Sequence, residues 1–234
     1  MKKIMWIISW FSLVGTAIVL QFLPDRVPMH SDLMGNIDRW GSKNENLIFP
    51  LIILFMSLHW TLFIRYYDKK ALKTTDEKES AEARSNAKVL GIVGLLMAAQ
   101  FTVMQGFILY GAYLAAVNHA TKRAFDIGKV SCILLGFGFM ILGNFMTKTR
   151  RNNTVGLRIT WSVYNDNTWR KSNRFGAFSF IIAGALTIIT ALLMKSAGGA
   201  TMAMLGYLIL ATIATLVYAY RVYVHEKNSE RNLG

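Results

Sequence analysis

The stretch GNFMTKTRRNNTVGLRITWSVYNDNTWRKSNRFG, Gly143 to Gly176, decides how the chain is read. It carries seven cations (Lys148, Arg150, Arg151, Arg158, Arg170, Lys171 and Arg174) against one acid, Asp166, and interleaves them with Trp161 and Trp169. A solvated linker has no use for two tryptophans, and a buried core excludes seven cations. A segment at a membrane surface uses both. Tryptophan suits the headgroup region, while Lys and Arg are held on the cytoplasmic side by the insertion bias and by anionic lipid.

Outward from this stretch the chain turns apolar on both sides. Hydrophobic residues make up 53% of the 234 positions and charged ones 17%, and the charges fall in blocks. Leu47 to Ile64, Val89 to Val117, Val130 to Thr147, Phe175 to Met194 and Ser196 to Tyr220 hold no Lys, Arg, Asp or Glu. With Ile4 to Leu23 these make six runs near the roughly 20 residues that a bilayer-crossing helix needs. The expected fold is therefore all-α, a polytopic helical membrane bundle of six transmembrane helices. The single cysteine, Cys132, lies within the fourth run, forms no intrachain disulfide and reads as a small packing residue.

Residues 1–65 hold the first two spans and the loop between them, 66–88 a charged cytoplasmic connector, and 89–234 a four-span bundle containing the basic segment 143–176. The first run is longer than a signal-peptide core and no A-x-A site follows it, so it reads as a retained span. Pro24 and Pro28 end it. Thr74 to Asn86 is rich in Glu, Ala and Lys without an apolar stripe, which fits a solvated helix or a mobile connector. The third run must tilt or protrude. Gly136, Gly138 and Gly143 in the fourth permit close helix contact.

Placing the N-terminus inside puts 19 of the 26 Lys and Arg residues on the cytoplasmic side and seven outside, leaving the inner face at +11 and the outer at +2. Both termini are thus expected in the cytoplasm. The net charge of +13 follows from topology and anionic lipid, without nucleic acid.

No Asp, Glu, Lys or Arg lies centrally in any span, which counts against a carboxylate-driven carrier. His59 is expected to bond to a neighbouring helix as a neutral imidazole, or else to serve a proton relay or ligand. Gln100 and Gln105 are expected to bond across helices. No nucleophile elbow, Walker loop, HExxH or Cys/His metal spacing is present, and no cofactor is implied. In the first outer loop Asp25, His30, Asp32 and Asp38 form a weak divalent-metal candidate, chiefly through His30, Asp32 and Asp38. The alternative is a turn-rich loop whose acids cap short helices and pair with Arg26, Arg39 and Lys43. The basic segment either binds lipid phosphates and sets helix depth, or brings Arg151, Arg158 and Arg174 together on an acidic partner or anionic headgroup. Asp166 or Asn167 is the expected N-cap of the fifth helix.

The first loop, LPDRVPMHSDLMGNIDRWGSK (Leu23 to Lys43), resembles the LPxxVPxHxxxxGxxDxxxxK signature of an uncharacterised N-terminal domain of bacterial membrane proteins. The basic stretch, as GN-x-M-x-K, R-x-N-x-x-G-x-R, W and W-x-x-x-x-R-x-G, resembles the SdpI family of bacterial immunity proteins. The resemblance implies a multi-pass, non-enzymatic protein that protects a producing cell from a secreted peptide or protein toxin. Its matching positions are Pro24, Pro28, His30, Gly35, Asp38 and Lys43 outside, and Gly143, Asn144, Lys148, Arg151, Asn153, Gly156, Arg158, Trp161, Trp169, Arg174 and Gly176 within. Family members commonly carry Pro where Asn152 and Thr160 stand and His where Asn173 stands. Those departures predict a looser turn and the loss of a titrating group. On this reading the loop with Asp25, His30 and Asp38 meets the toxin, and the basic segment holds the bundle or signals to a cytoplasmic regulator. The alternatives are a small-molecule or lipid transporter with a polar cavity around His59, Gln100 and Gln105, and an intramembrane enzyme with a metal in the outer loop.

Overall fold

The computed structural model describes residues 1–32, 35–147 and 156–231. Six helices, all long and apolar enough to cross a membrane, follow one another: α1 (Lys2–Val19), α2 (Ile48–Lys73), α3 (Glu77–Val117), α4 (Ile127–Met146), α5 (Asp166–Leu193) and α6 (Ala197–Arg231). Between α1 and α2 lie two antiparallel strands, β1 (Arg26–Ser31) and β2 (Ile37–Ser42), and a short 3₁₀ turn, Lys43–Leu47.

The burial of α1 shows what solvent these helices suit. Its buried positions are Met5, Ser9, Ser12 and Thr16, spaced three or four apart and mostly polar. Its outward positions are apolar: Ile7 is 66% and Phe11 71% exposed, while Ser9 is 0%. In water this would invert the usual preference. In lipid it is the expected arrangement, since helices there associate through small residues and interhelical hydrogen bonds. Ser9 and Ser57 hydroxyls meet at 2.7 Å, and Trp6 Nε1 donates to Thr61 Oγ1 at 3.0 Å, tying α1 to α2.

The glycines act as expected. A Cβ on Gly136 would lie 2.7 Å from the Gly184 carbonyl oxygen, and one on Gly143 2.7 Å from that of Ala177, so α4 and α5 touch backbone to backbone. Gly138 faces the Gln100 amide. Gln100 donates to the Leu134 carbonyl across α3 and α4. Gln105 donates to Thr16 Oγ1 at 3.2 Å and to the Asn46 carbonyl at 3.0 Å. Both amides therefore join separate elements.

Several boundaries differ from the sequence reading. The charged region after Ile64 is helical: α2 runs on to Lys73, and α3 starts at Glu77, capped by Asp76 Oδ1 on the Lys78 and Glu79 amides. At 41 residues α3 is about 60 Å long at 1.5 Å per residue, so it projects well beyond a bilayer core. His59 makes no hydrogen bond to a neighbouring helix among the described residues. It is exposed, its ring 4.8 Å from that of Phe63 one turn on. A helix side chain pointing outward meets lipid before it meets a partner. His59 also lies 13 positions from Asn46, roughly 20 Å along the helix, so it does not share a cavity with Gln105.

The bundle has two dissimilar ends. At one, the hairpin and the α3–α4 loop pack together. At the other lie the N-terminus, the α2–α3 turn, the described part of the basic segment 143–176, which forms a basic connector between α4 and α5, and the end of α6, with Lys2 Nζ 2.6 Å from Asp68 Oδ2.

Candidate functional site

At the hairpin end, Val27 and Pro28 are buried while their neighbours face out. Val27 packs with Leu23 and Ala112, with Met29 and Ala116 against them. Proline within a strand fits because β1 is an edge. The turn is closed by Asp32, whose carboxylate accepts from the Asn36 backbone at 2.8 Å and its side-chain amide at 2.7 Å. Gly35 there has φ +80, a left-handed conformation that favours glycine. The α3–α4 loop docks on this turn: Ile37 N–H donates to Thr121 O at 2.8 Å and Arg123 N–H to Gly35 O at 3.0 Å.

The charged residues pair locally. His30 Nδ1 and Asp38 Oδ1 are 2.6 Å apart across the strands, Arg39 lies 2.8 Å from Glu45, and Lys43 Nζ 3.1 Å from Asp25 and 3.2 Å from the Leu23 carbonyl. Ser42 and Glu45 form a capping box. Arg123 donates to Pro28 O at 3.1 Å, and burial lowers its pKa against the raising field of Asp38. Asp32 is committed to Asn36 while His30 and Asp38 bond to each other. No cluster of three His, Cys, Asp or Glu side chains is placed to hold a metal among the described residues. The weak metal candidate at His30, Asp32 and Asp38 is thus not assembled.

At the other end the basic connector folds around Asn173. Its side-chain oxygen accepts from the Leu157 N–H at 2.7 Å, and its amide donates to the Trp169 carbonyl at 3.0 Å. Gly156 sits against this knot with φ +113; a Cβ there would come within 2.4 Å of Asn173 Oδ1 and 2.9 Å of the Trp169 ring. Ser162 closes the following turn: its Oγ accepts from Ile159 N–H at 3.2 Å, and it also bonds the Leu157 carbonyl. The N-cap of α5 is Asn165, one position before Asp166 and two before Asn167, the expected caps, in a reciprocal box with Thr168. Ser162, Thr168, Trp169, Ser172 and Asn173 are all buried.

One expectation changes here. Trp169 is a core residue of the knot and not a headgroup anchor, because Gly156 and Asn173 close over it. The turn holding Thr160 is tied by Ser162, while Asn152, on which the expected looser turn also rests, lies outside the described residues. Trp161 stays peripheral, its ring 4.9 Å from that of Tyr220. The end of α6 clasps the connector: Lys171 Nζ lies 3.3 Å from Glu226, Asn167 donates to the same carboxylate, and Tyr164 donates to Glu230. The Glu230 hydrogen bond, with burial and charge behind it, raises the pKa of the Tyr164 phenol.

Of the matched family positions, Gly143 and Gly176 serve helix contacts, the latter against Thr215. Asn144 is exposed, and its carbonyl accepts from Thr147 Oγ1 at 2.8 Å. Arg158 and Arg174 are both exposed, the latter over the Phe178 ring at 6.0 Å. Lys148, Arg150, Arg151, Asn152 and Asn153 lie outside the described residues, and with Arg151 among them so does the expected three-arginine convergence. Sequence reasoning noticed Asn173 merely as a departure from a family pattern, although it holds the connector together. Its signal was available: a buried amide one turn after Trp169 can cap a preceding loop.

Comparison with known proteins agrees with these two regions. The SdpI/YfhL protein family matches residues 148–219, and a Domain of unknown function (DUF1648) matches residues 7–54. The Immunity protein SdpI of Bacillus subtilis (strain 168) is 21% identical over 227 residues, covering 95% of this chain and 97% of that protein. No solved structure matches. The resemblance to the SdpI family is thereby upheld, and the chain is a multi-pass bacterial membrane protein.

Proposed function

We propose that this protein is a non-enzymatic immunity protein of the SdpI type, protecting the cell that makes it from a secreted toxin. The observation that carries the reading is the presence of two separately tied, motif-bearing regions at opposite ends of one six-helix bundle. A relative that aligns over 95% of the chain and is itself named an immunity protein supports it. The hairpin, with Asp25, His30, Asp38 and Lys43, faces outward and meets a toxin peptide or protein or senses its effect. The basic connector faces the cytoplasm, where it holds the bundle's conformation and engages a cytoplasmic regulator. Both termini are cytoplasmic, membrane lipids surround the spans, and neither nucleic acid nor a cofactor takes part. A transporter reading gains nothing from the structure, since His59 points away from the Gln105 contact.

The direct test is deletion of the gene followed by challenge with the cognate toxin, then complementation. Survival is expected to fall on deletion and return with the wild-type gene. Unchanged sensitivity, with the toxin shown to be active on related cells, would reject the immunity reading.

A further inference from the structure

We infer that Arg158 and Arg174 form a binding site for one anionic phospholipid headgroup at the connector end of the bundle. The Leu157–Asn173 hydrogen bond, 2.7 Å long, holds two chain segments side by side. Arg158 follows one of its partners and Arg174 the other. Each arginine Cα is thus a single chain step, about 3.8 Å, beyond a fixed point. Asn173 is 2% exposed and Gly156 closes over it, so the spacing of the two arginines is built into the fold and does not depend on their own side chains.

The charge around them is unbalanced. Among the described residues the acids of α5 and of the end of α6 are already engaged: Glu226 by Lys171 and Asn167, Glu230 by Tyr164, and Asp166 within its own contacts. Arg158 and Arg174 are exposed and have no acidic partner among the described residues. Arg221, exposed as well, follows Tyr220, whose ring touches Trp161. Two forked guanidinium groups match the several oxygens of a phosphate.

What favours a lipid over an acidic protein is the apolar surface directly beneath. The Arg174 guanidinium sits 6.0 Å over the Phe178 ring, and Phe178 is 50% exposed. Tyr220 is 48% exposed. An arginine that covers an outward-facing phenyl one turn nearer the bilayer lies at headgroup depth, with its stem along acyl chain and its charge at the phosphate. A protein partner would leave those rings in contact with lipid and use only the charge. This site needs the connector end to lie at a membrane surface; it does not need the immunity role.

The test uses the full-length protein in detergent micelles, titrated with phosphatidylglycerol and followed by native mass spectrometry. Wild type is expected to retain one phosphatidylglycerol in preference to phosphatidylcholine. The double variant Arg158→Gln/Arg174→Gln should lower that retention at least fivefold, with Arg158→Lys/Arg174→Lys recovering part of it. A control of equal charge change, Lys69→Gln/Lys73→Gln on the exposed end of α2, should retain the lipid, and inorganic phosphate in excess should not displace it. Equal loss in the control would show nonspecific attraction to the surface and overturn the site. Displacement by inorganic phosphate would make it a free-anion site, and equal retention of phosphatidylcholine would make it a matter of shape; either overturns the proposal. A melting curve within a few degrees of wild type establishes that the double variant is folded. If it is not, the Lys pair supplies the comparison, and retention by the Lys pair no better than that of phosphatidylcholine would overturn the site.

Discussion

The two ends of the bundle are tied by different physics. The hairpin end is held mainly by main-chain pairing, strand to strand and onto the α3–α4 loop, with ion pairs laid over the surface. Among the described residues the connector end has almost no regular pairing. It is held by single buried side chains, Asn173, Ser162 and Thr168, each satisfying several backbone groups. Distributed main-chain bonds tolerate the loss of any one side chain. A knot centred on one amide does not. The contrast makes the connector the more sensitive of the two ends to a single substitution.

The largest effect is expected from Gly156→Ala. A φ of +113 is strained for any L residue, costing on the order of 1–3 kcal/mol, and the new methyl would strike Asn173 Oδ1 as well. Melting temperature and toxin protection should both drop sharply; an unchanged melting curve would break the contrast at its root. Next comes Asn173→Leu, which keeps the branching at Cγ but strands the Leu157 N–H, at about 1–3 kcal/mol. Thermal unfolding read through tryptophan fluorescence should register it, because Trp169 packs on the same site.

At the hairpin end the effects should shrink. A Cβ on Gly41 would meet Glu45 Oε1 at 2.2 Å, but that carboxylate is the end of a movable side chain. Gly41→Ala should therefore cost roughly the capping bonds, about 1 kcal/mol. Asp38→Asn weakens an exposed contact with His30 worth at most about 1 kcal/mol and should leave melting unchanged while lowering toxin protection. Equal loss of both would mean that His30 and Asp38 are structural. The smallest effect concerns pH. The Tyr164 phenol has its pKa raised by Glu230, so this contact persists below the ordinary phenol value of about 10 and is lost only as pH rises through the raised one. Protection of the amides in the last turns of α6, relative to the intrinsic exchange rate at each pH, should fall there and not at neutral pH.

The six spans were legible because a bilayer imposes a length and excludes charge, and both can be counted along a sequence. The connections were less so. The strands of the hairpin have only six residues each, and Pro24, Pro28 and the glycines spoke for turns; what makes them strands is Val27 packing under the sheet and the α3–α4 loop pairing alongside. Trp169 looked like a headgroup anchor because tryptophan beside arginine usually is one. Its burial depends on Gly156 folding back from thirteen residues away, and no local pattern encodes that. His59 was assigned a partner because titratable groups in spans commonly have one, yet helix rotation turns it outward.

Which end faces which compartment can be measured directly. With Cys132 replaced by alanine, Asp25→Cys and Arg158→Cys variants in intact cells are exposed to a membrane-impermeant maleimide. The Asp25 position should be modified at once, and the Arg158 position only after the membrane is opened. Labelling of the Arg158 position from outside, with the Asp25 position protected, would place the basic connector on the wrong side and contradict the division of labour drawn between the two ends.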